Sequence, residues 1–355
     1  MKVGRLDAAP PAPAAAVPGR VAATATPEIG FAIWPFFDDH GGFEEMLADI
    51  VEIAADCPVM ARVQVSWADW ARPGDGPRWL DYLINRLHDA GVEIFPTFMW
   101  TPPSFGLAPL SSAPPRDPGT FAWFVGHVLE RYRHLISPYI QIWNEANGYC
   151  YWDRGLDPYF EIFARMHIWA ARVAREEHGR QTVLAGVIPS GGPEWIDLMG
   201  SYGVLEHTDL IALHGFPGTW LSRRIGWRHL LDRLDRVLRR HGVRRRIWIC
   251  EASYSTMRQH DRRSLEHEFR QLTTFRKLLG LPVERIFWYT LRDLPLHRRS
   301  AVHAHLGNYD PREHGCGLRY CDGTPKMLWN AWLAHGTAGI RRGAHLQRPL
   351  RELVV

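Results

Sequence analysis

Residues 92–100 read Val-Glu-Ile-Phe-Pro-Thr-Phe-Met-Trp, and residues 209–216 read Asp-Leu-Ile-Ala-Leu-His-Gly-Phe. Both runs are apolar at nearly every position, the pattern of a strand covered on two faces instead of one. Six more runs of this kind lie at 29–34, 59–67, 139–143, 182–188, 246–250 and 285–290. Between them, residues 43–55, 79–90, 120–135, 159–177, 194–202, 227–240 and 264–279 carry apolar residues at helical spacing, and 326–334 supplies an eighth helix. Short buried strands alternating with amphipathic helices build a parallel sheet with crossover helices. Eight repeats favour closure into a single (β/α)8 TIM barrel of the α/β class, spanning 28–336. An open doubly wound sheet usually carries a glycine-rich phosphate loop after its first strand. Here that place holds Ile33-Trp34-Pro35-Phe36-Phe37-Asp38-Asp39.

Bulk properties narrow the function classes. With 46% hydrophobic and 23% charged residues in 355, the chain has ample material for one large core. A net charge of +4, with basic residues spread along helices such as 233–246 and not interleaved with stacking aromatics, argues against a nucleic-acid partner. No apolar run is long enough to span a membrane. Residues 1–27 superficially resemble an export signal, but Pro10, Pro11, Pro13 and Pro18 interrupt the apolar stretch, so they read as a disordered leader. Residues 337–355 form a basic tail. Five cysteines is an odd number, and Cys57 and Cys250 fall at strands, which fits a reducing compartment. The cytoplasm is the expected location, with secretion as the alternative. Cys316 and Cys321 lie close together but lack the second pair that a zinc site requires. Oligomeric state is left open.

In a barrel of this type the chemistry sits at the C-terminal ends of the strands. Those ends hold Ser66 and Trp67, Trp100, Asn144 and Glu145, His214, Glu251, and Trp288 followed by Arg292 and Asp293. Strands four and seven each deliver a glutamate, and these positions are nearly opposite around an eight-membered ring. Two facing carboxylates suit cleavage of a glycosidic bond: one protonates the leaving oxygen and the other attacks the anomeric carbon, about 5–5.5 Å apart in retaining enzymes. Sixteen tryptophans also offer flat faces for sugar rings.

Trp143-Asn144-Glu145 on strand 4, Glu251 on strand 7, Arg62 early in strand 2 and Trp288 at the end of strand 8 together resemble clan A of the glycoside hydrolases. The likeness is nearest to the family 39 β-xylosidases, on Trp143-Asn144-Glu145-Ala146-Asn147 followed by Tyr151-Trp152 and Tyr159-Phe160. Asp209 to Pro217 and the turn Asp322-Gly323-Thr324-Pro325-Lys326 are also similar. The chain departs from the clan at Ala146, where many members have Pro, and at Gly215-Phe216, where they have Tyr.

The resemblance implies a retaining hydrolase of β-linked glycosides, xylosyl or glucosyl, acting on an oligosaccharide or glycoside without metal or cofactor. Glu145 would be the acid/base, protonated because Glu251 nearby is charged, and Glu251 the nucleophile. Arg62 would keep Glu251 ionised and Asn144 would bind the sugar 2-hydroxyl. His214 and Tyr254 would orient the glutamates. Trp288 would floor the site, with Trp34, Trp67, Trp100 and Trp152 as walls. Asp38, Asp39, Asp69, Asp153 and Asp293 could touch sugar hydroxyls, although loop aspartates more often make turns and caps. Three rivals remain: a transglycosidase using the same site, a non-catalytic carbohydrate-binding barrel, and a metallohydrolase using His303 and His305.

Overall fold

Eight parallel strands close in sequence order, each bonded to the next and β8 to β1. They are β1 Glu28–Ile33, β2 Met60–Ser66, β3 Glu93–Met99, β4 Tyr139–Asn144, β5 Gln181–Val187, β6 Leu210–Gly215, β7 Arg246–Ala252 and β8 Arg285–Trp288. This computed structural model describes residues 26–54, 58–148, 150–188, 192–220, 226–257, 264–298 and 310–344. Cys57, the His303 and His305 pair, and nearly all of the leader lie outside them. Among the described residues eight longer helices surround the barrel, besides the single turn Trp67–Trp70: α1 His40–Ile53, α2 Asp75–Asp89, α3 Pro118–Arg131, α4 Glu161–Arg172, α5 Gly192–Ser201, α6 Trp227–Arg240, α7 Leu265–Leu278 and α8 Met327–Arg342. The fold is the (β/α)8 barrel expected from the alternation of strands and helices. The last helix runs beyond residue 334, through a break at Gly336, to a left-handed Gly343 cap.

Local chemistry explains the element boundaries. The Asp39 carboxylate accepts from the Gly42 amide at 3.0 Å to cap α1, and Asp117 does the same for α3, where Pro118 occupies the first turn. Helix α6 buries Leu230, Leu231, Leu234, Val237 and Leu238, while Arg233 and Arg240 reach Glu194 and Asp197 on α5. Part of the basic stretch is thus neutralised by the neighbouring helix.

Strand alternation divides the core in two. Outward residues such as Phe31, Val63, Phe98 and Ile142 meet the helices, whereas Ala32, Met60, Phe95, Leu210, Trp248 and Phe287 form a plug inside the barrel. The Phe95 ring lies 5.7 Å from Trp248 and 5.5 Å from Phe287. Above this plug the interior turns polar, with Arg62, Gln141, Asn144, His214 and Glu251 all buried.

Two backbone irregularities bring the glutamates there. In β7, Trp248 and Cys250 both point inward, so strict alternation would turn Glu251 outward. The register with β6 slips instead, from Leu213 opposite Ile249 to His214 opposite Glu251, and the extra residue re-aims Glu251. In β4, Trp143 takes a left-handed φ of 68°, which sends its ring outward onto Phe121 and Trp152 and leaves Asn144 inward. Glu145 follows at φ 41°, and Trp100, the residue after β3, has φ 67°. Such conformations are costly for residues with a Cβ and gather at functional sites.

Candidate active site

Arg62 organises the barrel mouth. From β2 its guanidinium donates through Nε to Gln141 Oε1 at 2.9 Å, and through its two terminal nitrogens to Glu251 Oε1 and Asn144 Oδ1, each at 2.6 Å. Gln141 is itself fixed by donating to the Trp143 carbonyl at 2.7 Å. The Arg62 guanidinium also sits 5.2 Å from the Trp34 ring centre. One rigid fork therefore ties β2 to both catalytic-candidate strands.

His214 on β6 sits between the two carboxylates. Its Nδ1 is 2.8 Å from Glu145 Oε1 and 3.6 Å from Glu251 Oε2. One ligand atom from each of the three residues falls within 4.8 Å of the others. The imidazole is fully buried, and burial lowers its pKa to about 3, so it is neutral. Its Nε2 faces Gly186 of β5 and has no hydrogen-bond partner. A Cβ at position 186 would lie 2.0 Å from Nε2, so only glycine leaves room for this ring.

Both carboxyl pKa values are raised, mainly by burial. For Glu145 the value rises to about 7, with Arg62 pulling the other way. Its leading cause is therefore loss of solvent, and not the Glu251 charge that the sequence led us to expect. Glu251 is raised by burial and by Glu145, against His214 and Arg62. Two carboxyls this close titrate as a pair. Glu145 keeps 18% of its side chain exposed toward the mouth, and Glu251 8%.

Glu145, Glu251, Asn144, Arg62, His214 and Trp34 therefore come together. Trp100 lies at the edge, its ring 5.3 Å from Tyr151. The other expected residues lie elsewhere. Trp288 points outward and packs edge-on against Phe275 of α7 at 5.4 Å. Trp67 stacks on Phe124 at 5.8 Å, and Trp152 donates to Asp157 and packs on Phe163. Tyr254 turns its hydroxyl to His267, 3.2 Å away. The three tryptophans belong to the layer between sheet and helices, and Tyr254 faces α7.

Two residues missed in the sequence take their places. Tyr289, one past Trp288, packs against the inner plug and on Phe216, and Tyr151, one before Trp152, faces Trp100. Both phenols are pushed well up, chiefly by burial, with the charges of Glu145 and Glu251 adding at Tyr151 and that of Glu313, ahead of Glu251 and Glu145, adding at Tyr289. Alternation from Phe287, an inward residue, would have marked Tyr289. The loop aspartates do structural work. Asp39 caps a helix, Asp69 pairs with Arg72, Asp153 accepts from Gly155 and Asp293 receives Lys326. Cys316 and Cys321 are free thiols.

Solved structures share this barrel. A family 39 glycoside hydrolase from the gut symbiont Bacteroides cellulosilyticus superposes with a TM-score of 0.63 at 14% identity, over 87% of this chain and 63% of that one. Native xylanase 10B of Thermotoga maritima gives 0.59 at 14% identity, over 91% and 97%. An endo-laminarinase from Formosa gives 0.56 at 12% identity, over 87% of each. All three carry the clan A barrel, the likeness also drawn from the sequence. This chain spans less than two thirds of the family 39 enzyme's length. No family model and no curated protein matches the sequence. At these identities the likeness establishes the fold, and the chemistry has to be argued from the side chains. Among the described residues no helix is long and apolar enough to cross a membrane.

Proposed function

We propose that this chain is a retaining glycoside hydrolase that cleaves a β-glycosidic bond by double displacement. The observation that carries the reading is the pair Glu145, just after β4 and 18% exposed, and Glu251, buried on β7, with ligand oxygens within 4.8 Å and the Arg62 guanidinium bonded to only one of them. Near neutral pH such a pair holds one proton. Arg62 keeps the negative charge on Glu251, so the proton resides on Glu145.

Each group then has a role. Glu145 gives its proton to the glycosidic oxygen as the bond to the anomeric carbon breaks. Glu251 attacks that carbon through Oε2, because Oε1 is engaged by Arg62, and forms a glycosyl ester. Water then gives a proton to Glu145 and attacks the same carbon, releasing Glu251 with net retention. The Asn144 side-chain nitrogen is buried without a partner and is the donor for the hydroxyl beside the anomeric carbon. Neutral His214 donates from Nδ1 to Glu145, since an unpaired ring nitrogen at Nε2 is cheaper to bury than an unpaired N–H. Tyr289, Tyr151, Trp34 and Trp100 supply the walls. A xylosyl or glucosyl glycone is favoured by the resemblance to family 39.

A panel of 2-fluoro glycosides across sugar types tests this reading. Covalent label on Glu251 and a product of retained configuration are expected. Label on another residue, or inversion, would overturn it. Added acceptor sugars separate hydrolysis from transfer by product analysis.

A second reading rests on the same trio, because Glu145, His214 and Glu251 could ligate a divalent ion. The Arg62 charge at 2.6 Å from Glu251 opposes a cation there. Stoichiometric metal in the purified protein, with activity lost on chelation, would favour this alternative.

A further inference from the structure

The loop between β3 and α3 spans residues 100–117, and beyond Trp100 the roles above leave it unused. It is held in a fixed shape. Thr101 donates its amide to the Ser111 carbonyl at 2.9 Å, Leu107 to Pro114 and Arg116 to Phe105, each also at 2.9 Å. Phe105 leans on Trp67 at 5.1 Å, and the Asp153 amide bonds the Ser112 carbonyl at 2.9 Å, which joins this loop to the one after β4. Across the two loops Phe105, Leu107, Leu110, Leu156 and Tyr159 are 37–69% exposed. Large apolar side chains left exposed on two joined, ordered loops at the barrel mouth offer a surface for an apolar ligand.

Its position identifies what it binds. Displacement at the anomeric carbon expels the leaving group away from the nucleophile and toward the acid, that is, from β7 toward β4. The aglycone of a substrate seated between Glu251 and Glu145 therefore leaves the mouth over the loops that follow β3 and β4. Trp100 and Tyr151, whose rings are 5.3 Å apart, belong to these same two loops, so the chain itself leads from the site out along them. Resting on the glycosidase reading above, we propose that these two loops form an aglycone subsite for an apolar group, so that the natural substrates are glycosides of alkyl or lipid-like alcohols.

The test uses the full-length protein and n-alkyl β-glucosides and β-xylosides from methyl to octyl, each below its micelle concentration. A kcat/KM that rises about twofold per methylene is expected, roughly half the effect of complete burial on a logarithmic scale. In a Leu107→Ser/Leu110→Ser double variant the octyl-to-methyl ratio should collapse toward one. A flat series in the wild type overturns the proposal, as does a ratio that survives in the variant. Sedimentation runs in parallel. A change of association state in the variant with the ratio intact would assign the loops to contact between copies instead. Absence of turnover together with absence of label on Glu251 would strike the glycosidase reading itself, and with it this one.

Discussion

Replacing Gly186 by alanine probes the site through a residue that touches no substrate. The added methyl would sit 2.0 Å from His214 Nε2, 2.3 Å from Cε1 and 2.7 Å from Cδ2. Ordinary contact begins near 3.4 Å, so the imidazole must retreat by about 1.4 Å. It is fully buried, and its far nitrogen is already 2.8 Å from Glu145. The ring can therefore only drive into Glu145 or swing out of line with it. A displacement of that size at a reacting group costs on the order of 100-fold in rate. Overpacking of a filled interior costs a further ~1–3 kcal/mol of stability. Steady-state kinetics on an activated aryl glycoside, with thermal melting alongside, would show kcat/KM down by about two orders of magnitude in a protein that melts several degrees lower. Adding His214→Ala should restore stability, because removing the ring makes room for the methyl, while leaving turnover low. A folded Gly186→Ala protein with wild-type kcat/KM and an unchanged pH profile would refute the placement of His214 and the role given to it.

Other consequences follow from the same geometry. The alkaline limb of kcat/KM should fall near pH 7, where Glu145 loses its proton, and a limb far above that would contradict the assignment. Because the folded-state pKa of Glu145 lies above its ordinary 4.5, the folded protein binds more protons between pH 4.5 and 7, and stability drops as pH rises through that window. Urea titrations of Glu145→Gln should show that decline reduced by about 3 kcal/mol. Gln141→Glu places a second carboxylate on Arg62 Nε, and should move the alkaline limb up by about one pH unit as Arg62 divides its charge. An unmoved limb would show that Gln141 does not tune the pair. Lys326 is fully buried and donates to Asp293 at 2.6 Å, to Thr256 at 2.8 Å and to the Gly315 carbonyl at 3.2 Å. Lys326→Met should cost ~3–5 kcal/mol in denaturant unfolding by stranding Asp293.

The barrel was legible because its evidence is repetitive. Eight buried strands and eight amphipathic helices need only periodicity to be seen, and misplacing an end by one to three residues, as at β1 or α1, changes nothing about closure. Glu145, Glu251, Asn144, Arg62 and His214 were legible as polar residues in or just after strands otherwise made of Val, Ile, Leu and Trp. The aromatic residues were harder to place. Trp288 and Trp152 were named from the resemblance to clan A and from the flat faces tryptophan offers, without weighing the neighbouring Tyr289 and Tyr151, and which of two adjacent rings points inward depends on backbone phase. At Tyr289 that phase could have been counted from Phe287, whereas at Glu251 and Asn144 it is broken by a slipped register in β7 and a left-handed residue in β4, neither of which has a signature in residue type. Gly186 was equally silent. A glycine in a strand announces close approach, but the partner, His214, is about 28 residues away in the chain and becomes its neighbour only when β5 pairs with β6. Gln141 escaped notice because a buried amide on β4 acquires meaning only once Arg62 reaches it from β2.

The three-way grip of Arg62 also makes the barrel mouth a mechanical element. The guanidinium spans from β2 to Glu251 on β7 in one direction and to Gln141 and Asn144 on β4 in the other, like a crossbar wedged inside a hoop. Any widening of the hoop, whether by heat, denaturant or an ill-fitting ligand, must pull at least one of those contacts apart. Dilation of the barrel and loss of the contacts that hold Glu251 and Asn144 on Arg62 are then a single event. Turnover can serve as a gauge of barrel integrity, expected to fade in step with opening of the mouth and before the outer helices let go.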